Sequence, residues 1–592
     1  MKGFILFIAF LLCLGSRVNC TNYYFSSSRG NDNWSGRLHE PNPSRTDGPK
    51  NSLQALSNLL NQTVGAGDSV FMSRSDTWTI DQGIELRSAN GSPNQYLFLG
   101  AYGNGSLPLI YLEGQGNVLT CRGSDTDPSS FLHISQIALS TRLTTNRPTG
   151  LWVGESWYPN KPHHILLDGL RINYCSNGMI LYEQDITVQN CLFTNNGNGN
   201  TGQGIFCSAK NVIIRNNVLD NNGSGSVFVH SMYISQTENV LIEGNEIKNA
   251  DDGLKLRTTN NLIVRNNIIH DTRIHSIHLG GDEGGGMRNV IVEGNILFNV
   301  PQGLRIASES GNQSLLTENV MVRNNIFPAM VQISSNGPVK DIYFFNNLFH
   351  STNNQPTLLI CQAVQPVNVQ IRNNIFYKIT PQTGHSLITF QASSGLSGVM
   401  LDHNLYHFPV QSQNLITVGN QNFISLSTFR NQYPAHERNG QNGDPNFVNP
   451  PLDFHLSTAS LLAIDRGVDL TGVVELDLDG RIRPKDGDGV GGAAYDIGPY
   501  EFCCFTSIVE EQKSPEFIRL TPNPLRDRLI INHRGVHLNK ISICTVEGRE
   551  IKSYVAGQET TELDLNELLP GVYFMKAWSV DQRLHSIPFV KW

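Results

Sequence analysis

The segment IRNNVL at Ile214–Leu219 decides the fold, because close variants of it recur through the middle of the chain. The variants are VQNCLF, IEGNEI, VRNNII, VEGNIL, VRNNIF, FFNNLF, IRNNIF and LDHNLY. Their landmark asparagines are Asn190, Asn217, Asn245, Asn267, Asn295, Asn325, Asn347, Asn374 and Asn404, at intervals of 22 to 30 residues. A short phrase repeated with insertions of variable length is typical of a solenoid.

Each repeat is too short for two helices, and the aliphatic positions within the phrase alternate as they do in strands. We therefore predict an all-β fold, a parallel β-helix with one coil per repeat. An asparagine at a constant place suits a tight turn, where its amide can bond the backbone of the neighbouring coil. The pattern resembles right-handed parallel β-helix proteins, and the resemblance covers roughly residues 100 to 410.

Length and composition agree with this architecture. A chain of 592 residues exceeds one ordinary globular core, whereas a repeat protein has no such limit. Charged residues make up 16% of the chain and there are 54 glycines, which favours turn-rich β structure. The net charge of −8 argues against a nucleic-acid partner. We expect a monomer.

The regions outside the repeats suggest the domain organisation. Residues 1–20 have the basic and apolar character of a secretory signal peptide. Residues 21–505 would form the β-helix, with the amphipathic segment SLQALSNLL as an amino-terminal cap and YDIGPYEF in a closing segment. A polar linker is expected at 506–516.

Residues 517–592 change character, with short alternating strands that predict a small immunoglobulin-like β-sandwich. The motifs PNP, EGREI and LLPGVYF resemble the C-terminal sorting domain of the type IX secretion system. The resemblance implies that this machinery is a partner, and that the protein is secreted or on the outer surface of a Gram-negative, Bacteroidetes-like cell. It implies nothing about catalysis.

Cysteine spacing gives no metal motif. Cys175, Cys191 and Cys207 recur every 16 residues, and we predict that they are buried apolar side chains and not disulfide partners.

The strands that precede the repeated phrases carry a second pattern, seen in GIFCS, SMYIS, GLKLR, SIHLG and GLRIA. Their second and fourth positions are all apolar, so these side chains should point inward. The third positions should then point outward, and stacked coils lie about 4.8 Å apart. The predicted outward row consists of Phe206, Tyr233, Lys255, His278 and Arg305.

Further polar residues should flank the outward row: His230, Asp251, Asp252, His275 and Arg257. Ordinary exposed strand positions in this chain carry Ser, Thr and Asn. Stacked like charges cost energy, so the concentration of basic and aromatic side chains favours a functional groove for a polysaccharide, and for an acidic one in particular.

One fitting chemistry is β-elimination on a uronic-acid polysaccharide, which needs a cation for the carboxylate, a base for the C5 proton and an acid for the leaving oxygen. The candidates are Arg305 and Arg257 for the cation, Lys255 or His278 for the base, and Tyr233 or His230 for the acid. The same groups could perform C5 epimerisation. Phe206 would contact substrate.

Many lyases on this fold use Ca²⁺ in place of basic residues, as the resemblance implies. Carboxylate oxygens are the ligands that Ca²⁺ prefers. The candidate ligands are Asp251, Asp252, Asp282 and Glu283.

Glycoside hydrolysis is the second fitting chemistry. The segments ADDGLKLR, IHSIHLG and QGLRIA resemble the polygalacturonase family, which carries a paired Asp, a Gly-His-Gly and an Arg-Ile-Lys. The resemblance implies catalytic roles for Asp251, Asp252, His275 and Arg305. The third family carboxylate is His230 here, and the family lysine is Ala307.

The missing carboxylate weakens the case for inverting hydrolysis, because that reaction needs two separated carboxyl groups. The basic groups favour a polysaccharide lyase acting by β-elimination. A polygalacturonase-like hydrolase is the alternative, and a C5-epimerase or a non-catalytic glycan-binding surface protein are the others. A binder should present stacked aromatic side chains along the groove, where the predicted row holds Phe206 and Tyr233.

Overall fold

The structure is a computed structural model. It describes residues 20–124, 128–154, 159–197, 201–223, 226, 228–281, 285–307, 316–334, 338–351, 355–361, 365–378, 380, 385–392, 396–410, 413–502, 519–521, 528–533, 538–545, 550–557, 560–568, 571–579 and 584–591. These residues fall into a large unit, 20–487 with 492–502, and a smaller unit that comprises 488–491 and the described residues from 519 to 591. The predicted signal peptide and linker lie almost wholly outside the described residues.

The large unit is a right-handed parallel β-helix whose coils each contribute strands to three faces. Two long strands, His230–Glu243 and Asp252–Arg265, span the first and second faces. The other first-face strands are Ile84–Leu86, Asn117–Cys121, Thr149–Val153, Met179–Leu181, Ile205–Cys207, His275–Gly280, Gln302–Ile306, Met330–Ile333, Leu358–Ile360, Ile388–Phe390, Ile416–Val418 and Gln421–Phe423.

The second and third faces complete each coil. The other second-face strands are Asn22–Phe25, Ser69–Ser73, Leu97–Tyr102, Ser130–Ser135, His163–Asp168, Gln184–Gln189, Lys210–Arg215, Met287–Glu293, Thr317–Arg323, Pro338–Phe345, Gln365–Arg372 and Val399–Asp402. The third-face strands are Thr77–Ile80, Leu109–Leu112, Ala138–Ser140, Arg171–Asn173, Leu192–Thr194, Val218–Asp220, Glu246–Lys248, Ile268–His270, Ile296–Phe298, Ile326–Phe327, Leu348–Ser351, Ile375–Lys378, Leu405–His407 and Gln441–Asn442.

The coils begin earlier than the resemblance to β-helix proteins indicated. Parallel pairing already joins Asn22–Phe25 to Ser69–Ser73, well before residue 100, and continues to Ile416–Val418. The early coils lack the asparagine phrase, so the phrase alone underestimates the length of the solenoid. Their aliphatic residues nevertheless join the same continuous buried core.

The repeated phrase forms the turn between the second and third faces. Its third residue has a positive φ, near 55° at Asn216 and 56° at Asn266, and glycine takes this place at Gly244. Asparagine and glycine are the residues that adopt this left-handed conformation most readily. The recurring pair of residues therefore has two different tasks, a backbone bend and a buried hydrogen bond.

The fourth residue of the phrase forms a buried asparagine ladder from Asn217 to Asn404. At Asn295, for example, the side-chain Oδ1 accepts from the backbone N–H and Nδ2 of Asn267, at 3.0 Å each. Its own Nδ2 donates to the Val264 carbonyl at 2.9 Å. The predicted bond from the asparagine amide to a neighbouring coil is thus confirmed.

The sequence-based alignment of the first repeat is wrong by one position. Asn190 has φ 55° and occupies the bend, whereas Cys191 occupies the ladder position. The backbone N–H of Cys191 donates to Asn217 Oδ1 at 2.9 Å, so the ladder begins there without an amide side chain.

Both ends of the β-helix core are covered. The predicted cap segment forms the helix Leu53–Gln62, whose four buried leucines join the core. At the other end, after the helix Leu426–Gln432, Glu437 terminates the ladder. Its Oε1 accepts from Asn404 Nδ2 at 2.7 Å and from the Tyr406 hydroxyl at 2.8 Å.

The closing segment packs against the outside of the third face. It contains the antiparallel strands Phe447–Asn449 and Asp453–Leu456. Phe454, Ile464 and Ile497 share a buried cluster with outward residues of that face such as Leu348 and Ile375. The segment therefore converts part of the β-helix surface into a second apolar core.

The smaller unit consists of two antiparallel sheets with a common apolar core. One sheet contains Arg519–Thr521, Arg528–Asn532 and Thr560–Asp564. The other contains Leu538–Thr545, Glu550–Val555, Gly571–Ser579 and Leu584–Lys591. The immunoglobulin-like arrangement stays a prediction.

Cys175, Cys191 and Cys207 are free and buried, as predicted. Burial raises the pKa of each of these thiols to about 12, which makes them unreactive apolar side chains. Within the described ranges, no helix has the length and apolar character needed to cross a bilayer.

Replacing a ladder residue should destabilise the β-helix. Asn295→Ala leaves buried donors on Asn267 without their acceptor, at a cost of about 2 to 4 kcal/mol. We expect the melting temperature to fall by several degrees in calorimetry. Asn289→Gly, at an exposed position with φ 55°, is the matched control and should have little effect. Equal melting temperatures for wild type and Asn295→Ala would contradict a stabilising role for the ladder.

The ladder terminus should make stability depend on pH. Burial raises the pKa of Glu437 from its ordinary 4.5 to about 7, against the opposing effect of its hydrogen bonds with Asn404 and Tyr406. The folded chain thus holds this proton more tightly than the unfolded chain does. The stabilising contribution is complete below pH 4.5 and is lost as the pH rises through 7, at about 1.4 kcal/mol per pH unit.

Glu437→Gln keeps an acceptor for Asn404 and Tyr406 but removes the titration. We expect its melting temperature to equal that of the wild type below pH 4.5 and to exceed it above pH 7. Glu238→Gln, at a partly exposed second-face position, should follow the wild-type curve. Parallel curves for wild type and Glu437→Gln would show that the Glu437 carboxyl does not titrate in this range.

Candidate functional site

The predicted outward row exists on the first face. Strand pairing places Phe206 beside Tyr233, Tyr233 beside Lys255, Lys255 beside His278, and His278 beside Arg305. The residues before and after each of these positions, such as Leu254 and Leu256, are fully buried in the core. The period-two argument therefore gave the correct register for five successive coils.

The row is less exposed than an outward strand position suggests. Phe206, Tyr233 and Arg305 are half-buried, but Lys255 is only 8% exposed and His278 is fully buried. The expectation of an open polar row is therefore wrong for its two central residues. They lie outside the apolar core and yet are shielded from water, which strengthens every electrostatic interaction around them.

Lys255 and His278 form the closest contact in the row, with Lys255 Nζ 2.8 Å from His278 Nδ1. Burial, and then the charges of Lys255 and Arg305, hold the pKa of His278 far below its ordinary value. The imidazole is therefore neutral and accepts a hydrogen bond at Nδ1, which leaves its proton on Nε2.

A second line of polar residues runs beside the row, where the strands begin. Asp252 pairs in register with His230 on one side and His275 on the other. Its Oδ1 lies 2.9 Å from His275 Nδ1, and its Oδ2 lies 3.6 Å from His230 Nε2. Gln203 Oε1 lies 2.9 Å from His230 Nδ1 and orients that ring.

The two adjacent aspartates have different contacts. Asp251 forms an ion pair with Arg273, and its Oδ2 accepts from the backbone N–H of Ser226 at 2.9 Å. Asp252 alone joins the line of histidines. The polygalacturonase resemblance assigned both carboxylates to catalysis, whereas the geometry gives Asp251 partners in the neighbouring turn.

Two guanidinium groups lie along the same face. Arg257, two residues after Lys255, is buried and donates from Nη1 to the Gly281 carbonyl at 3.2 Å. Arg305 donates from Nε to Ser334 Oγ at 3.0 Å and keeps part of its surface exposed. Together with Lys255 they give this face a concentration of positive charge that suits an anionic ligand.

One group of side chains has metal-ligand character. Asp252, His275 and His278 bring one ligand atom each to within 4.8 Å of the others. Two imidazoles and a carboxylate suit a transition metal better than Ca²⁺, which prefers oxygen. Lys255 Nζ contacts His278 Nδ1 at 2.8 Å and would compete with a metal for that nitrogen. Asp282 and Glu283, the predicted calcium ligands, lie outside the described residues.

Sequence reasoning missed part of the aromatic surface. Trp152 and Tyr182 continue the ring contacts of Phe206 and Tyr233 toward the amino terminus. The segment GLWVG at residues 150–154 has the same apolar second and fourth positions, Leu151 and Val153, so extending the pattern by two coils would have identified Trp152. Tyr182 follows a strand and carries no such signal.

Family models match two parts of the chain. Residues 149–327 match the right handed beta helix region, and residues 519–586 match the secretion system C-terminal sorting domain. The sorting domain indicates type IX secretion and an extracellular or cell-surface location in Bacteroidetes. The search of curated proteins found no match.

Solved structures with a similar fold include a pectate lyase, at 13% identity over 82% of this chain and 98% of that chain, with TM-score 0.37. A tailspike protein of E. coli bacteriophage HK620 in complex with a pentasaccharide has 14% identity over 68% and 79%, with TM-score 0.42.

The A-module of a mannuronan C-5 epimerase from Azotobacter vinelandii has 13% identity over 60% of this chain and 88% of that chain, with TM-score 0.34. The chain thus carries a right-handed β-helix region and a type IX secretion C-terminal sorting domain.

Proposed function

We propose that the protein is a secreted polysaccharide lyase that cleaves a uronic-acid-containing polysaccharide by β-elimination. The observation that carries the proposal is the Lys255–His278 contact of 2.8 Å inside a row that also presents Tyr233 and Arg305. Elimination needs a cation, a base and an acid around one sugar, and the row offers each of these on adjacent coils.

Arg305 and Arg257 neutralise the uronate carboxylate, which acidifies the C5 proton. Lys255 is the base and acts as the neutral amine, because it retains some exposed surface whereas His278 has none. His278 is enclosed and positions the Lys255 nitrogen through Nδ1.

The electron pair of the C5–H bond forms the C4–C5 double bond as the C4–O4 bond breaks. The C5 proton goes to Lys255 Nζ, and the leaving oxygen takes the Tyr233 phenol proton. The Tyr233 ring stacks on His230 with centroids 5.3 Å apart, which fixes the phenol beside Lys255.

The alternatives use the same face differently. An epimerase would return a proton to the opposite side of C5 and leave the chain intact. A hydrolase would need a second carboxylate beside Asp252, and Asp251 is paired with Arg273. A glycan-binding surface protein would use the row for affinity alone.

Replacing the base should abolish elimination. Lys255→Met removes the amine while filling its volume, and we expect turnover to fall by about 10² to 10⁴-fold. Arg305→Gln should cause a comparable loss. The assay is the ultraviolet absorbance of the unsaturated uronate, measured with pectins, alginate and glycosaminoglycans.

Lys340→Met, an exposed second-face position, is the matched control and should keep wild-type activity. Reducing ends released without the unsaturated product would identify a hydrolase. Wild-type turnover in Lys255→Met would remove this residue from the mechanism.

The role given to the arginines predicts that elimination needs no divalent cation. After dialysis against EDTA we expect the wild-type rate to stay unchanged, because guanidinium groups neutralise the carboxylate. Loss of activity in EDTA with recovery on adding Ca²⁺ would instead favour the calcium alternative, with Asp282 and Glu283 as candidate ligands.

A further inference from the structure

A stripe of four aromatic side chains continues the outward row toward the amino terminus. The ring centroids of Trp152 and Tyr182 lie 5.5 Å apart, those of Tyr182 and Phe206 5.8 Å apart, and those of Phe206 and Tyr233 5.6 Å apart. All four side chains are half-buried. One end of the stripe, Tyr233, is the neighbour of Lys255 in the sheet.

Each successive coil contributes one ring to the stripe. In the second of these coils Ile180 holds the row position, and the ring is that of Tyr182, two residues later. Coil spacing is about 4.8 Å, close to the length of one pyranose unit along an extended glycan. Aromatic rings offer large rigid faces to the C–H face of a sugar. A polymer that runs along the β-helix axis would therefore meet one ring for each sugar.

A cavity of about 660 Å³ borders the stripe at Tyr182. Its lining includes the hydrogen-bonding side chains Asn160, Gln184 and Ser208, and the lysines Lys161 and Lys210. Sugar sites combine aromatic surface with a few polar groups of this kind. The cavity thus offers polar contacts for a hydroxyl-rich unit distant from the reacting one.

We propose that the stripe of Trp152, Tyr182, Phe206 and Tyr233 binds consecutive sugar units of the substrate, on the amino-terminal side of the reacting uronate. The position of the reacting uronate rests on the proposed function, whereas the binding of glycan by the stripe does not. The enzyme therefore recognises a polymer along several coils, and short fragments bind weakly.

The test is retardation of the full chain in native gels that contain polygalacturonate, alginate, hyaluronan or neutral galactan. We expect at least one acidic glycan to retard the wild type. Trp152→Ala and Tyr182→Ala should each weaken binding about tenfold, as loss of a central aromatic contact does. Trp152→Phe keeps an aromatic face and should bind within about threefold of the wild type.

Phe298→Ala is the matched control, because Phe298 is a partly exposed aromatic on the third face, stacked on His270. It should bind like the wild type. Circular dichroism of each variant establishes that the fold is intact, and Trp152→Phe, if retarded like the wild type, shows that the site tolerates substitution.

Wild-type retardation of both alanine variants would overturn the inference, and so would a wild type that none of these glycans retards. Lys255→Met separates the two proposals. If Lys255→Met stays fully active while Trp152→Ala loses binding, the lyase mechanism is wrong and the binding of glycan by the stripe is supported. If Lys255→Met is inactive and Trp152→Ala binds normally, the binding of glycan by the stripe is wrong and the lyase mechanism is supported.

Discussion

The hydrogen bond from each buried asparagine to the asparagine of the next coil is the interaction on which the rest of the structure depends. In a parallel sheet, a shift of one residue would turn every side chain to the opposite face. The ladder from Asn217 to Asn404 prevents such a shift, because a displaced coil would leave buried amides without partners. The bend before each ladder residue, as at Asn216, returns the chain to the same corner on every coil.

A fixed register also explains how the site is assembled. Lys255, His278 and Arg305 come from separate coils and lie side by side only because the coils are aligned. Stacking these groups in a shielded environment is electrostatically unfavourable without an anion. The apolar core and the ladder stabilise the coils independently of the row, so the β-helix can maintain this arrangement. An acidic sugar would then relieve the repulsion and bind where it is strongest.

Local sequence patterns predicted the coils and the outward row because both depend on short periods. Asn190 was misassigned because Cys191 occupies the ladder position without an amide. The enclosure of Lys255 and His278 was not predictable, because the period-two pattern gives the direction of a side chain and not its exposure to solvent. Asp251 and Asp252 are adjacent in sequence, and only the structure shows that they have different partners, Arg273 and His275.

The most direct test of the account is a crystal structure of the Lys255→Met protein with a bound acidic oligosaccharide. The account predicts a sugar chain parallel to the β-helix axis on the first face, with one carboxylate against Arg257 and Arg305. It also predicts that the next sugars lie over Tyr233 and Phe206. An oligosaccharide bound to another face, or one that crosses the coils away from Arg305, would contradict the assignment of this row as the site.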